Sequence, residues 1–306
     1  MTTERTNKTA VWINAMRPRT LPLALAAILM GAFLAAAAGA FRGEVVALAG
    51  LTAVFLQILS NLANDYGDSV HGADHGQRLG PARAVQSGQI AAATMRRAMA
   101  LCALLAMVSG VALLWLAFGA GRLPYVLLFL VLGAGAIGAA VAYTNGKRPY
   151  GYVGLGDLFV LIFFGWVGVL GTVFLQTLRF DWPLVLPATA CGLLAVGVLN
   201  VNNIRDLESD RLAGKRSIPV RLGPQKARLY HWLLLGGAVM TAVLYVLLRY
   251  QSPWQFLFLL AVPLLVRHGT AVARTHDPRK LNPLLKQLSL ITLFFILTFG
   301  FGQLIG

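Results

Sequence analysis

The feature that most restricts this chain is a succession of apolar runs, each about as long as the roughly 20 residues a helix needs to cross a bilayer. Bounded by charge, Gly or Pro, nine such runs are expected near 20–39, 45–64, 97–118, 123–144, 153–176, 184–204, 229–249, 255–272 and 287–305. Of 306 residues only 12% are charged and 58% are hydrophobic, whereas a soluble domain carries about a quarter charged residues. Too little polar surface exists to face water all round. The expected fold is all-α: a polytopic membrane protein with about nine transmembrane helices in one bundle. Residues 1–306 then form a single domain, with 1–18 a cytoplasmic N-terminal segment. The apolar run from Leu21 and the small residues Ala35 to Ala40 imitate a signal peptide. That run is too long for one and more spans follow, so a retained first helix is expected.

The formal net charge of +15 points to a membrane rather than to nucleic acid, because of where the charge lies. The longer polar connections, near 65–96, 145–152, 205–228 and 273–286, and the N-terminal segment hold most of the Lys and Arg. The opposite side keeps only Arg42, Arg122, Arg179 and Arg249. Such a bias places the N-terminus and the long connections in the cytoplasm, and nine spans put the C-terminus outside. No aromatic-interleaved basic surface remains for a nucleic acid. Cys102 and Cys191 each sit in an apolar run, without metal-ligand spacing, and are expected to be packing residues.

Six of the eleven acidic residues fall in two segments. Asn61-Leu-Ala-Asn64-Asp65-Tyr66-Gly-Asp68 is followed by Asp74, and Asn202-Asn203-Ile-Arg205-Asp206-Leu-Glu208-Ser-Asp210 lies near the end of the sixth run. Asn61, Asp65 and Asp68 are spaced i, i+4, i+7, and Asn202, Asp206 and Asp210 are spaced i, i+4, i+8. Each set therefore shares one helix face. Opposed across a bundle, the two faces would gather at least four carboxylates. Like charges so close repel, and desolvation adds to the cost; a divalent cation offsets both. All-oxygen ligands favour Mg²⁺, which commonly shares its shell with phosphates, so a phosphorylated substrate is expected. Arg78, Arg83, Lys215, Arg216 and Arg221 follow the two segments. Between them runs Tyr143-Thr-Asn-Gly-Lys147-Arg148-Pro149-Tyr150, a turn able to offer hydrogen bonds and cation–π faces. Arg83 and Arg148, beside turn-forming residues, are the favoured phosphate contacts.

At these residues the chain resembles the intramembrane aromatic prenyltransferases of the UbiA superfamily, and within it the branch acting on dihydroxynaphthoate. The resemblance covers almost the whole chain. It rests on Arg17-Pro-Arg-Thr-Leu-Pro-Leu, Ser60-Asn-Leu-Ala-Asn-Asp-Tyr-Gly-Asp, Arg148-Pro-Tyr-Gly-Tyr-Val-Gly-Leu-Gly-Asp, Leu199-Asn-Val-Asn-Asn-Ile-Arg-Asp with Asp210, and Val220-Arg-Leu-Gly, in that order. It implies nine helices around a central cavity open to lipid, in a bacterial inner membrane with the active-site face cytoplasmic. It also implies transfer of a polyprenyl group from its diphosphate to 1,4-dihydroxy-2-naphthoate, with decarboxylation to a demethylmenaquinone. Two Mg²⁺ ions would bridge the diphosphate. Asn61, Asp65 and Asp68 match the first metal motif, with Asp74 the alternative to Asp68, and Asp206 and Asp210 match the second. The four aspartates Asp65, Asp68, Asp206 and Asp210 take the catalytic role. Substrate contacts fall to Asn61, Asn64, Arg78, Arg83, Tyr143, Lys147, Arg148, Tyr150, Asn202 and Lys215, with Arg17 and Thr20 near the acceptor. Phe163, Phe164 and Trp166 are candidates for an aromatic wall that keeps water from a carbocation.

Two other readings fit part of the pattern. The same machinery could serve 4-hydroxybenzoate or a haem precursor. A cation-coupled transporter would share the repeated acidic device, but its site belongs near the bilayer midplane, not beside connections rich in Arg and Lys.

Overall fold

The computed structural model describes residues 8–70 and 83–306. Among them every regular element is helical, and nine helices are long and apolar enough to cross a membrane: α1 Lys8–Ala37, α2 Gly43–Val70, α3 Ala92–Phe118, α4 Leu123–Ala142, α5 Gly156–Thr177, α6 Trp182–Arg205, α7 Ile218–Leu248, α8 Pro253–Arg274 and α9 Pro278–Ile305. The chain is thus an all-α, multi-pass membrane protein. In hydrocarbon each backbone N–H and C=O must be satisfied within its own segment, which is why apolar runs become helices here.

Three departures from the runs read in the sequence shape the interior. Residues 8–16, assigned to a polar leader, are helical, and α1 breaks at Arg17. Pro18 disfavours helical backbone in the residue before it, and Arg17 accordingly adopts φ 51°, ψ 63°. A short turn, Pro18–Thr20, then restarts the helix. Second, α2 continues six residues past its apolar stretch to Val70, so the first acidic segment is helical rather than loop. Third, α5 passes through wide π-type turns over Leu161–Leu170. An α-helix turns about 100° per residue, so a row of every fourth residue drifts by ~160° over 16 residues. Wider turns cancel that drift. Two rows, 159-163-167-171-175 and 160-164-168-172, therefore stay on the interior face.

The bundle is asymmetric. Helix α1 packs against α2, α5, α6 and α9, and α6 also packs against α5, α7 and α9. Helix α4 leans mainly on α2 and α3, touching α5 through Tyr125 and Phe129 against Phe174, and Ala139 is its one buried residue. Close approach of α5 and α6 needs glycine. A Cβ on Gly165 would lie 2.7 Å from the Ala188 carbonyl, and one on Gly192 would lie 2.6 Å from Leu161. Small residues at such crossings replace the hydrophobic effect with close packing. Cys102 and Cys191 are buried packing residues.

Candidate active site

Between α1, α2, α3, α4, α5, α6 and α9 lies a cavity of about 650 Å³. Most of it is apolar, but the charged groups lining it gather at the end where α2 and α6 terminate and α1 breaks: Asp68, Arg83, Asp206, Asp210 and Lys215, with Arg17, Arg19 and Lys286. The helix ends that carry the two acidic segments thus meet at one cavity.

How each segment presents its acids follows from local structure. On α2 the i, i+4, i+7 face is realised in a continuous helix. Asn61 points toward the break in α1, donating from Nδ2 to the Met16 carbonyl (2.8 Å) and to Thr20 Oγ1 (3.0 Å). It thereby satisfies a carbonyl that the break leaves without a helical partner. Asp68 is buried and meets the Arg83 guanidinium and the Tyr152 hydroxyl, which donates to Oδ1 at 3.1 Å. Gly67 makes this end possible, since a Cβ there would sit 2.6 Å from the Thr144 carbonyl.

The second segment straddles a break. Helix α6 ends at Arg205, Asp206 leaves helical geometry at φ −93°, ψ 10°, and a short helix Leu207–Leu212 follows. Backbone bonds Asp206 N–H to Asn202 O (3.1 Å) and Asp210 N–H to Asp206 O (2.8 Å) keep all three in register across it. Arg205 grips Asp206 with two donors, Nε to Oδ1 at 2.8 Å and Nη2 to Oδ2 at 2.6 Å, and reaches Asn202 Oδ1 (2.9 Å) and Asn282 Oδ1 (2.7 Å). Lys215 Nζ lies 3.2–3.3 Å from Asp210 and over the Tyr152 ring at 6.0 Å. Tyr152 thus links the segments, bonding one acid and backing the cation that pairs with the other.

The electrostatics differ from the expected cluster of naked carboxylates. Among the described residues no three of His, Cys, Asp or Glu stand close enough together to hold an ion. Each acid facing the cavity has drawn its own cation instead: Asp68 with Arg83, Asp206 with Arg205, Asp210 with Lys215. Burial still pushes Asp210 up to about 6, against the pull of Lys215. Burial works to lower Lys215 as well, but the charge of Asp210 outweighs it and raises the ammonium above its ordinary value. The buried Tyr143 phenol is pushed up to about 12.

Several predicted residues take other places. Asp65 does not line the cavity; its carboxylate accepts the Ala84 and Val85 amides, both at 3.0 Å, and so anchors the chain just after Arg83. The expected gathering of four carboxylates becomes three. Lys147 and Arg148 lie on the outer edge of their turn, exposed and away from the cavity, because solvation there avoids the cost of burying two charges. Arg216 and Arg221 are exposed too, Arg221 tying down the Val153 and Arg216 carbonyls. Glu208 is solvated beside Arg211. Trp166 donates its indole N–H to Thr189 Oγ1 at 3.0 Å and is not part of the wall, whereas Phe163 and Phe164 are. Arg78 and Asp74 lie outside the described residues. The remaining predicted residues, Arg17, Thr20, Asn61, Asn64, Tyr143, Tyr150 and Asn202, line the cavity. Tyr150 is fixed there by its hydroxyl on the Ala139 carbonyl (2.9 Å) and by stacking on Phe159 at 4.0 Å.

Sequence reasoning missed Tyr152, Arg205, Arg19 and Lys286. Arg205 was legible as the base next to Asp206.

The chain is similar to known proteins in sequence and in fold. The UbiA prenyltransferase family matches residues 24–299. A 1,4-dihydroxy-2-naphthoate octaprenyltransferase of Escherichia coli is 48% identical, covering 99% of each chain. One from Haemophilus influenzae is 44% identical over 98% of this chain and 97% of its own, and one from Mycobacterium tuberculosis 38% identical over 96% and 98%. Among solved structures, a UbiA homologue from Aeropyrum pernix superposes with a TM-score of 0.68 at 19% identity, covering 94% of this chain and 98% of that one. A homologue from Archaeoglobus fulgidus, bound to DMAPP and Mg²⁺, gives 0.65 at 17% identity over 96% and 99%.

Proposed function

The chain belongs to the UbiA prenyltransferase family, and from that premise we propose that it transfers a polyprenyl group from a polyprenyl diphosphate to 1,4-dihydroxy-2-naphthoate, with loss of carbon dioxide, giving the reduced, quinol form of a demethylmenaquinone. The observation that carries this reading is the single cavity into which Asp68 of α2 and Asp206 and Asp210 after α6 all open, polar at one end and apolar beyond. A prenyl chain partitions into the apolar part, and its diphosphate rests among the charges. We place that end at the cytoplasmic face of a bacterial inner membrane, following the bias of Lys and Arg.

The residues present fit Mg²⁺. Among the described residues the cavity is lined by carboxylate and amide oxygens and by no His or Cys, the donor set of a hard cation. Asp68, Asp206 and Asp210 would hold the metal, two ions in all, and Asn61, Asn64 and Asn202 stand beside them. When bound, Mg²⁺ neutralises charge on the departing diphosphate. Arg83 and Lys215, paired here with Asp68 and Asp210, are the cations that would meet the phosphate oxygens where those aspartates hold metal.

In the reaction the allylic C–O bond breaks and the diphosphate leaves with the electron pair. The electron-rich ring supplies the pair for the new C–C bond, and its carboxylate departs as carbon dioxide, leaving its bonding pair in the ring. Phe159, Phe163, Phe164 and Tyr150 exclude water from the cationic carbon. The site's place at helix ends, not at mid-bilayer, disfavours a transporter.

The test incubates membranes containing the protein with Mg²⁺, a labelled polyprenyl diphosphate and a panel of acceptors, and identifies the lipid product by mass. Demethylmenaquinone, formed as its quinol and only with Mg²⁺, is expected. Equal turnover of 4-hydroxybenzoate would remove the acceptor assignment, and full activity in EDTA would remove the metal.

A further inference from the structure

No residue of α8 lines the cavity, yet this helix carries a charge where a spanning helix can least accommodate one. Its buried face is Leu265, His268, Gly269 and Val272. Arg267 lies on the opposite face, exposed, in line with the exposed Leu260, Leu264 and Arg274. Exposed Tyr250 and Trp254 mark the outer end of the helix, since such rings settle at the interface. Pro253–Ala261 form a stretched 3₁₀ helix, so Arg267 stands about 27 Å from Pro253 along the axis. A hydrocarbon core about 30 Å thick leaves Arg267 just inside its far boundary. Among the described residues neither Arg267 nor Arg274 has an ion pair or a side-chain hydrogen bond. The carbonyls ending α8 are met by Arg228 of α7, which donates to Val272 O at 3.3 Å and Thr275 O at 2.9 Å. The pull of the helix dipole fades beyond the last turn, short of Arg267. Asp277, the nearest acid in the sequence, accepts the Arg279 amide at 3.0 Å instead.

We propose that this outer face of α8 binds an anionic phospholipid of the leaflet on the active-site side, its phosphate held between Arg267 and Arg274. The two arginines are related as i, i+7 and share one face. A helical side chain lies back over the turn before its own Cα, so Arg274 covers Thr270 and Ala271. Arg267 extends toward the same patch, because an arginine just below the interface keeps its stem in hydrocarbon and its head in the phosphate layer. Thr270 and Ala271 are small and leave room for a headgroup between the two guanidiniums. A planar guanidinium matches the two free oxygens of a phosphodiester. Leu260 and Leu264 give the acyl chains an apolar bed below it. Depth selects the ligand: a soluble anion stays in water, whereas a lipid phosphate lies at the boundary itself. The seat is also tied to its neighbours. His268, next to Arg267, turns inward and its Nδ1 meets Gln287 Oε1 of α9 at 3.1 Å. Gly269 admits Trp232 of α7, whose ring would lie 2.7 Å from a Cβ there. A lipid held on α8 therefore braces the α7–α8–α9 side of the bundle. Its signature is in stability, since the site touches none of the groups that face the cavity.

The experiment takes the purified wild type, Arg267→Leu, Arg274→Gln and the double variant, and adds phosphatidylglycerol or zwitterionic phosphatidylcholine in rising amounts. Native mass spectrometry counts bound lipid, and a melting curve follows stability. One arginine beside a surface phosphate is worth about fivefold in affinity. Each single variant should weaken the tightest phosphatidylglycerol site by that factor, and the double variant by about twenty- to thirtyfold. The rise in melting temperature that phosphatidylglycerol gives the wild type should vanish in the double variant. Phosphatidylcholine should bind all four proteins alike and weakly. Leucine suits a lipid-facing position, so Arg267→Leu is expected to fold, with wild-type melting and prenyl transfer in phosphatidylcholine alone. A third arm replaces lipid with inorganic phosphate, which should stabilise none of them. Equal binding of phosphatidylglycerol by the wild type and the double variant overturns the proposal. So does a wild type that binds both lipids equally, or one that inorganic phosphate stabilises as much as phosphatidylglycerol does.

Discussion

The two acidic segments look like copies in the sequence, Asn followed by Asp one turn later and again beyond, yet they are built differently. The first lies on an unbroken helix: Asn61 braces the break in α1 from the cavity wall, Asp65 anchors the backbone at Ala84 and Val85, and of the two aspartates only Asp68 lines the cavity. The second crosses a helix end, and the loss of helical geometry at Asp206 lets both Asp206 and Asp210 face inward. One segment commits one of its two aspartates to architecture; the other presents both of its aspartates to the cavity. Matching motifs therefore do not imply matching roles.

That contrast can be broken most directly by removing charge. Asp206→Asn and Asp68→Asn should each lower Mg²⁺-dependent prenyl transfer by about a hundred- to a thousandfold, the scale for losing one electrostatic group at a reacting centre, while membrane insertion is unchanged. Near-normal turnover in either would dissolve the distinction between cavity and buttress.

Asp65→Asn should do less to chemistry and more to the fold. Asn has one acceptor oxygen where Asp has two, so one of the amides at Ala84 and Val85 loses its partner, at roughly 1–3 kcal/mol. A lower melting temperature in detergent and faster proteolysis near Arg83 are expected, with residual activity well above that of Asp68→Asn. If Asp65→Asn melts normally but is as dead as Asp68→Asn, Asp65 belongs with the metal and the contrast is wrong.

Acidity probes the second segment alone. Burial holds Asp210 up to about 6, and only the carboxylate form can bind metal. Below about pH 6 Asp210 takes up a proton, so at limiting Mg²⁺ activity should fall as pH drops through that value and stay level above it. Excess Mg²⁺ should move the fall to lower pH, and Asp210→Asn should abolish the dependence along with most of the activity. A pH profile indifferent to Mg²⁺ concentration would point to another group.

The link between segments should show a milder effect. Tyr152→Phe removes the hydroxyl that donates to Asp68 but keeps the ring beneath Lys215, so a loss of about threefold to tenfold in kcat/KM is expected for one hydrogen bond. Smallest of all, Arg148→Ala should change turnover by less than about twofold, since an exposed surface charge contributes little. A large effect there would return the turn to the site.

The bundle was legible in the sequence because hydrocarbon leaves the backbone few choices: a run of apolar residues of spanning length must be a helix, and the charge bias orders the connections. The acidic residues were legible through their spacing. Less visible was what each would touch. Helix α2 outruns its apolar stretch because Asp65, Thr144 and Asn145 hold its polar last turns. Trp166 and Phe163 sit three residues apart in an apolar run, and only the wide turns of α5 decide which faces the cavity. Arg148 and Lys215 are both basic residues in polar connections, yet one is solvated and the other buried against Asp210.

Sequence alone thus settled that this chain is a many-helix membrane protein with two acid-bearing helix ends on one side, since periodicity and hydropathy are local properties of neighbouring residues. Which acids meet at one cavity, and what links them, was decided only by tertiary structure. Tyr152, which joins the two segments, stands 84 positions from Asp68. Coulomb energy depends on distance in space, which no local pattern encodes.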